Sequence, residues 1–263
     1  MRIILSPAKK MISEVEAMSW DGLPVFLEKT AQIMRWMQGL SYDEAKKLWA
    51  CNDKIALENY DRFKCMDLKK HLVPAVLSYE GIAYQYMAPA VFEDGQFEYL
   101  QEHLRILSGF YGVLKPMDGV TPYRLEMQAK ARIDGTRNLY ELWGDSLYRE
   151  VSDGSHIIIN LASKEYSKCI EKYLTGDDLY ITCVFGELIK GKVVQKGVYA
   201  KMARGEMVRY MAENKIEDPE DLKAFRGHGY RFSKEFSTDT YFVYIKEDLK
   251  KKMIDEDIYR EEV

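Results

Sequence analysis

Three stretches of the chain carry residue types suited to holding an anion. The first is the run 104–130, LRILSGFYGVLKPMDGVTPYRLEMQAK. If Tyr123-Arg124-Leu125-Glu126-Met127 is extended, Arg124 and Glu126 share one face. Tyr123, Leu125 and Met127 share the other, because side chains alternate along an extended backbone. A charge pair bracketed by apolar residues is either a structural salt bridge or part of a polar site. The second stretch is the junction of a buried strand, HIIINL over 156–161, with Ala162-Ser163-Lys164-Glu165-Tyr166. Ser163 can cap the following helix, whose free first-turn N–H groups then point back at the strand end. Such a junction binds anions, and Asn160 stands beside it; the plain alternative is a capped helix and nothing more.

The third stretch is the helix expected from Tyr199 to Asn214. At 100° per residue, Lys201, Arg204, Gly205, Val208 and Arg209 share one side. Ala203, Met207, Tyr210 and Met211 share another. Gly205 costs about 1 kcal/mol of helix stability relative to alanine. Its place within the basic face points to close approach of a phosphate or of another backbone; the alternative is a solvated basic face. Six basic residues and one acid lie between Lys190 and Arg209, a net +5 in a chain whose total is −4. Lys9 joins these candidates, since Ser6-Pro7-Ala8-Lys9 is a loop at the end of the first strand, where site residues collect. Tyr84 and Tyr86 could stack on bases, with core packing as the plainer reading.

Other chemistries find no support. Cys51, Cys65, Cys169 and Cys183 form no CxxC pair, and His71, His103, His156 and His228 are isolated. Asp153-Gly-Ser-His156 is the nearest thing to a metal-ligand pair, and a plain turn is the better reading of it. No GxxxxGK[ST], GxGxxG or GxSxG occurs. No metal and no cofactor is expected.

The elements that must position these residues read as follows. Residues 2–5 form a short buried strand. Phe97, Leu100, Leu104 and Leu107 recur at helical spacing, so one helix is expected to continue past 104. It would carry Gly109 and Gly112 on one side of a turn and end at Lys115-Pro116. Pro24–Gln38 reads as a helix. A capping box at Ser41-x-x-Glu44 starts a second, and Asn52 or Asp53 caps a third to about Phe63. The 41–63 pair resembles a helix-hairpin-helix in outline, without its glycine-rich turn. Val73–Tyr79 reads as a strand and Asn138–Tyr148 as a helix. Leu179–Gly186 and Val193–Lys196 read as strands joined through Lys190-Gly191. Strands are also expected at Tyr230–Phe232 and Tyr241–Ile245, and a charged tail or frayed helix over 247–263.

The chain has 263 residues, 47% of them hydrophobic, and no repeat or linker. A single domain over 1–263 is expected, of mixed α+β or α/β class, with a mixed sheet and peripheral helices. No apolar run reaches 18 residues, so no membrane partner is expected. The N-terminus shows no secretory pattern, which points to the cytoplasm.

LSPAK, LRILSGFYGVLKPMDGVTPYRLEM, LYELWG, NLASKEY and YAKMARGEMVRYMAEN resemble, over nearly the whole chain, the YaaA family of bacterial peroxide-stress proteins. The resemblance implies a cytosolic protein with an unusual α/β fold and a positively charged cleft. It further implies binding of DNA through a helix-hairpin-helix element, and limitation of oxidative damage under hydrogen peroxide by keeping unincorporated iron low. The family's motif residues fall here at Ser6, Lys9, Arg105, Tyr111, Arg124, Glu126, Trp143, Asn160, Ser163, Glu165, Tyr166, Lys201, Arg204 and Arg209. The chain departs at 53–63, where Ala56-Leu57-Glu58-Asn59 replaces the expected glycine-containing hairpin.

Two expectations result. One is non-specific DNA binding through Lys9, Lys115, Arg124, Asn160, Ser163, Lys201, Arg204 and Arg209, supported by Ser6, Arg105, Glu126, Trp143, Glu165 and Tyr166. The other is an enzyme acting on a small anionic ligand, nucleotide- or carboxylate-like, in the same cleft.

Overall fold

In the computed structural model, residues 1–13, 18–152 and 154–247 are described. The first strand, β1 (Arg2–Leu5), is the middle of the fold. Ile3, Ile4 and Leu5 are all buried. Neighbouring side chains on a strand point to opposite faces, so both faces of the sheet are covered here.

The chain continues through β2 (Lys10–Met11), α1 (Leu27–Gly39), α2 (Tyr42–Trp49) and α3 (Asp53–Lys64). Then come β3 (Val73–Pro74), α4 (Ala75–Ser78), β4 (Tyr79–Glu80) and α5 (Ile82–Met87). Next, α6 (Asp94–His103) leads into β5 (Leu104–Ser108), β6 (Gly112–Leu114) and β7 (Gly119–Val120). They are followed by α7 (Leu139–Trp143), α8 (Ser146–Ser152), β8 (Ile157–Asn160), α9 (Lys164–Glu171), β9 (Leu179–Ile189) and β10 (Lys192–Val194). The last described elements are α10 (Gly197–Asn214), β11 (Tyr230–Phe232) and β12 (Tyr241–Lys246).

The main sheet runs β11-β12-β9-β8-β1-β5-β6, with β10 hairpinned onto β9. Its five central strands are parallel, and the antiparallel β6 and β11 close the two edges. This is the expected mixed α/β class. Ile3 lies between Leu104 of β5 and Ile159 of β8. From β1 the chain goes to β5 on one side, then returns to β8 on the other. Strand order therefore reverses between β1 and β8, and a crevice opens beyond their carboxyl ends.

Several local expectations need correction. The helix over 97–107 stops at His103, and Leu104–Ser108 is a fully buried strand. Spacing alone cannot separate a helix face from a buried strand; pairing with β1 decides it. Gly109 therefore belongs to the β5–β6 connection, and Gly112 opens β6 with a positive φ of 78°. Residues 73–79 are not one strand: a single turn of helix divides two short strands. Gly144, at φ 55°, breaks 138–148 into α7 and α8. The remaining elements fall where expected, with the Ser41–Glu44 capping box and the Asn52 cap in place. The tail beyond Glu247 lies outside the described residues, as does Asp153.

One packing detail sets the site. Helix α10 lies against α5 through Gly205, where a Cβ would fall 1.9 Å from the carbonyl oxygen of Ala83. The glycine inferred to admit a phosphate or a backbone thus admits a backbone.

Candidate functional site

A cavity of about 390 Å³ opens at the carboxyl ends of β1 and β8. Its floor is the Ser6–Ser163 junction. Ser6 Oγ accepts the Ser163 N–H at 2.8 Å and donates to Ser163 Oγ at 3.2 Å. Ser163 does occupy the N-cap of α9, but its hydroxyl is engaged by Ser6 and caps nothing. Asn160 braces the same loop from below: its Oδ1 accepts the Ala162 N–H and its Nδ2 donates to Thr182 Oγ1. The Tyr84 hydroxyl ties α5 to the floor by donating to the Ser6 carbonyl.

One wall is the segment 123–126. It pairs with no strand, yet side chains alternate as expected, with Tyr123, Leu125 and Met127 buried. Arg124 Nη2 and Lys9 Nζ both lie 3.0 Å from Glu126 Oε1. The Arg124 and Glu126 side chains are 12% exposed, the Lys9 side chain 64%. Trp49 Nε1 donates to the Arg124 carbonyl at 2.6 Å, anchoring the wall to α2. Beneath it, Gly109 lets the segment settle, since a Cβ there would lie 2.5 Å from the Leu125 carbonyl oxygen. The Tyr123 hydroxyl lies 2.6 Å from Ser108 Oγ and 2.8 Å from the Tyr79 hydroxyl. Ser108 Oγ already accepts two N–H groups, from Phe110 and Tyr111. Its own hydrogen is therefore directed to Tyr123. Burial pushes the Tyr123 phenol up to about 12.

The opposite wall is the first half of α10. Lys201 is exposed at the mouth, and Arg204 reaches into the cavity half-buried. Among the described residues Arg204 has no hydrogen bond or ion pair, and its Nε is closed off from solvent. Burial pulls its guanidinium below the usual arginine range. At the rim, Lys10 pairs with Glu80 at 2.7 Å. Glu165, from the first turn of α9, accepts the Gln128 N–H at 3.2 Å. Burial raises its carboxyl, and the negative charge of Glu126 raises it further. Burial likewise lifts the Tyr166 phenol. Five basic side chains (Lys9, Lys10, Arg124, Lys201, Arg204) face three acidic ones (Glu80, Glu126, Glu165). The balance favours an anion, and the surrounding Leu5, Tyr123, Leu125 and Leu161 strengthen each charge by excluding water.

Of the residues singled out from sequence, Ser6, Lys9, Arg124, Glu126, Ser163, Glu165, Tyr166, Lys201 and Arg204 converge on this cavity. Asn160 supports it from behind. Four lie elsewhere. Lys115 borders a separate small hollow with Asp118 and Glu150. Arg105 is buried in β5, its Nη1 donating to the carbonyls of Gln101, Glu102 and Leu104. Trp143 is core, its Nε1 donating to the Gly109 carbonyl. Arg209 pairs with Glu213 at 2.7 Å on the surface of α10. Tyr84 packs against Tyr79 and also lines the cavity, whereas Tyr86 packs against His228. Lys10, Glu80 and Tyr123 line the cavity without having been singled out for it. The like charges of Lys9-Lys10 and the glycine after Glu80 were the only signal for the first two.

The α2–α3 pair turns at Ala50, which takes a left-handed φ of 46°, and residues 56–59 lie inside α3. Lys46 is bound to Asp53 across that turn at 2.6 Å. His156 pairs with Asp178 at 3.2 Å. Among the described residues no group of three or more His, Cys, Asp or Glu is arranged to hold a metal. Cys169 and Cys183 are buried, and burial pushes their thiols up to about 12. No described helix is long and apolar enough to cross a membrane.

Comparison with known proteins agrees with the sequence resemblance. The family model described as peroxide stress protein YaaA matches residues 1–236. A UPF0246 protein of Agathobacter rectalis is 62% identical over 244 residues, covering 93% of this chain and 98% of that one. One from Desulfitobacterium hafniense is 55% identical over 246 residues, covering 94% and 98%. One from Ligilactobacillus salivarius is 48% identical over 246 residues, covering 94% and 100%.

Proposed function

Because the chain belongs to the peroxide stress protein YaaA family, we propose that it serves a peroxide-stress role by binding a small anion, nucleotide- or carboxylate-like, in the cavity between β1 and β8. Arg204 carries this reading. A guanidinium partly withdrawn from water, its Nε closed off and without a counter-ion among the described residues, is destabilised relative to one in solvent. A fold keeps such a group where a ligand supplies the missing charge. The cavity's volume is of the order that encloses a small ligand and excludes a duplex. Titration calorimetry with inorganic phosphate, AMP and acetate at low salt tests the proposal. Binding should be seen for at least one, and Arg204→Leu should weaken it tenfold or more while leaving the fold intact. Equal binding by Arg204→Leu, or none by the wild type at millimolar ligand, overturns it.

A second reading has its own support. Lys9, Lys10 and Lys201 are exposed around the mouth. They suit the backbone of DNA bound without sequence preference, one nucleotide or phosphate reaching the cavity. Limiting iron-dependent oxidative damage would be the cellular outcome. Phosphate contacts release counter-ions, so affinity should fall steeply with salt. Binding that ignores salt, or that survives Lys9→Ala/Lys10→Ala/Lys201→Ala unchanged, removes this reading.

A further inference from the structure

The three carboxyls in the cavity are not equivalent. Glu80 is ion-paired to Lys10, and Glu126 to both Lys9 and Arg124. Among the described residues Glu165 has no ion pair; its carboxyl accepts only the Gln128 N–H. The cations are unequal in the same way, since Arg204 and Lys201 have no carboxylate partner among the described residues. The cavity therefore holds an unpaired carboxyl and two unpaired cations together. An oxyanion drawn to Arg204 and Lys201 shares that space with Glu165, and two negative charges at one site cannot both persist cheaply.

We propose that the cavity takes up its oxyanion together with one proton, held on the Glu165 carboxyl. The proton comes from solvent: an O–H bond forms on Glu165 as the anion enters and breaks as it leaves. The neutral carboxylic acid then has a hydrogen to donate to the bound anion, where the carboxylate could only repel it. This rests on the anion-binding reading and adds to it a proton-carrying group suited to general acid–base work on the ligand.

The surroundings of Glu165 fit that role. From the loop after β1 it faces Lys9, and from the 123–126 wall Glu126. Lys168 and Cys169 lie on its own helix, with Tyr166 beside it. From α7, the Tyr140 hydroxyl donates to its backbone carbonyl, fixing the first turn of α9. Lys9 is already bonded to Glu126 and Lys168 lies over the Tyr140 ring, so neither nearby lysine is a committed partner. Burial outweighs them and raises the carboxyl.

The sign of the pH dependence follows. The free protein loses the Glu165 proton at its raised pKa; the complex holds it to a still higher pH. Between those two values binding takes up a proton, and affinity falls as pH rises, by up to about tenfold per unit.

Inorganic sulfate is the probe, because it gains no proton of its own between pH 5 and 8. Calorimetric titrations in buffers of different ionisation enthalpy count the protons taken up. The wild type should take up a proton with sulfate over the part of this range that lies between the two pKa values, the uptake falling off as pH rises beyond the higher one. Glu165→Gln, which can still accept the Gln128 N–H, should bind sulfate with no proton uptake and a flat pH profile. Sulfate binding without proton uptake anywhere in this range overturns the inference while leaving anion binding standing. Unchanged uptake in Glu165→Gln also overturns it, by placing the proton elsewhere. Failure of sulfate to bind at all removes the anion reading, and this inference with it.

Discussion

The two walls of the cavity are seated alike and charged differently. The 123–126 wall rests on Gly109, whose missing Cβ admits the Leu125 carbonyl; the α10 wall rests on Gly205, which admits the Ala83 carbonyl. Each wall presents an arginine. Arg124 is bonded to Glu126, whose same oxygen also takes Lys9. Arg204 has no partner among the described residues. The first wall's arginine has a counter-ion without a ligand, although its Nε, like that of Arg204, is buried without a hydrogen-bond partner. The second wall's arginine has no counter-ion among the described residues, and it is this wall that indicates what the cavity is for. An ion pair is poor evidence of a binding site because it already satisfies itself. A buried, unpaired cation is better evidence.

The largest effect should come from the seat of the α10 wall. In an exposed helix, glycine to alanine is stabilising by about 1 kcal/mol. Gly205→Ala should do the opposite, costing about 3 kcal/mol or more in urea unfolding, because α10 must move off α5. Gly109→Ala should cost about 2 kcal/mol, since the segment 125–127 has more freedom to shift than a helix does. A stabilised Gly205→Ala would mean that the close approach to Ala83 is not real.

The arginines should differ in sign. Arg204→Leu removes a half-buried charge that has no partner among the described residues and should raise unfolding stability by about 1 kcal/mol while weakening sulfate binding tenfold or more. Arg124→Leu leaves Glu126 with the exposed Lys9 alone and should lower stability by about 1–2 kcal/mol. Its effect on sulfate affinity should be smaller than that of Arg204→Leu. Equal stability losses for both would show that the walls are electrostatically alike and that Arg204 is an ordinary structural residue.

That difference explains what was legible in the sequence. The alternation of Tyr123 to Met127 was readable from local periodicity, and the strand–helix junction at 156–166 from its apolar run, although the Ser163 hydroxyl caps nothing. So were the α2 and α3 starts and the strands at 2–5, 179–186 and 241–245. The strand at 104–108 was not, because a fully buried strand has no polar alternation to betray it. Its pairing partner, β1, lies a hundred residues away. Side-chain destinations were less legible still. Arg105, Arg124, Arg204 and Arg209 look alike in a sequence. The fold turns one into the strand core, gives two of them carboxylate partners and leaves one unpaired. Which arginine receives a partner depends on contacts between elements, and no local pattern encodes those.

The smallest expected effect belongs to Lys9. It is the second cation on Glu126, and its side chain is mostly in water. An exposed ion pair contributes about 0.5 kcal/mol or less, because solvent screens it and ordering a long side chain offsets the gain. Lys9→Ala should therefore barely move the unfolding midpoint. It should weaken sulfate binding two- to three-fold at low ionic strength, and the difference should vanish in 0.5 M salt, where the screening length falls to about 4 Å. A loss that persists in high salt would mean that Lys9 leaves Glu126 to contact the anion directly when the cavity fills. Glu126 would then be held by Arg124 alone in the complex, and the wall whose arginine is paired in the empty cavity would be one that ligand binding opens.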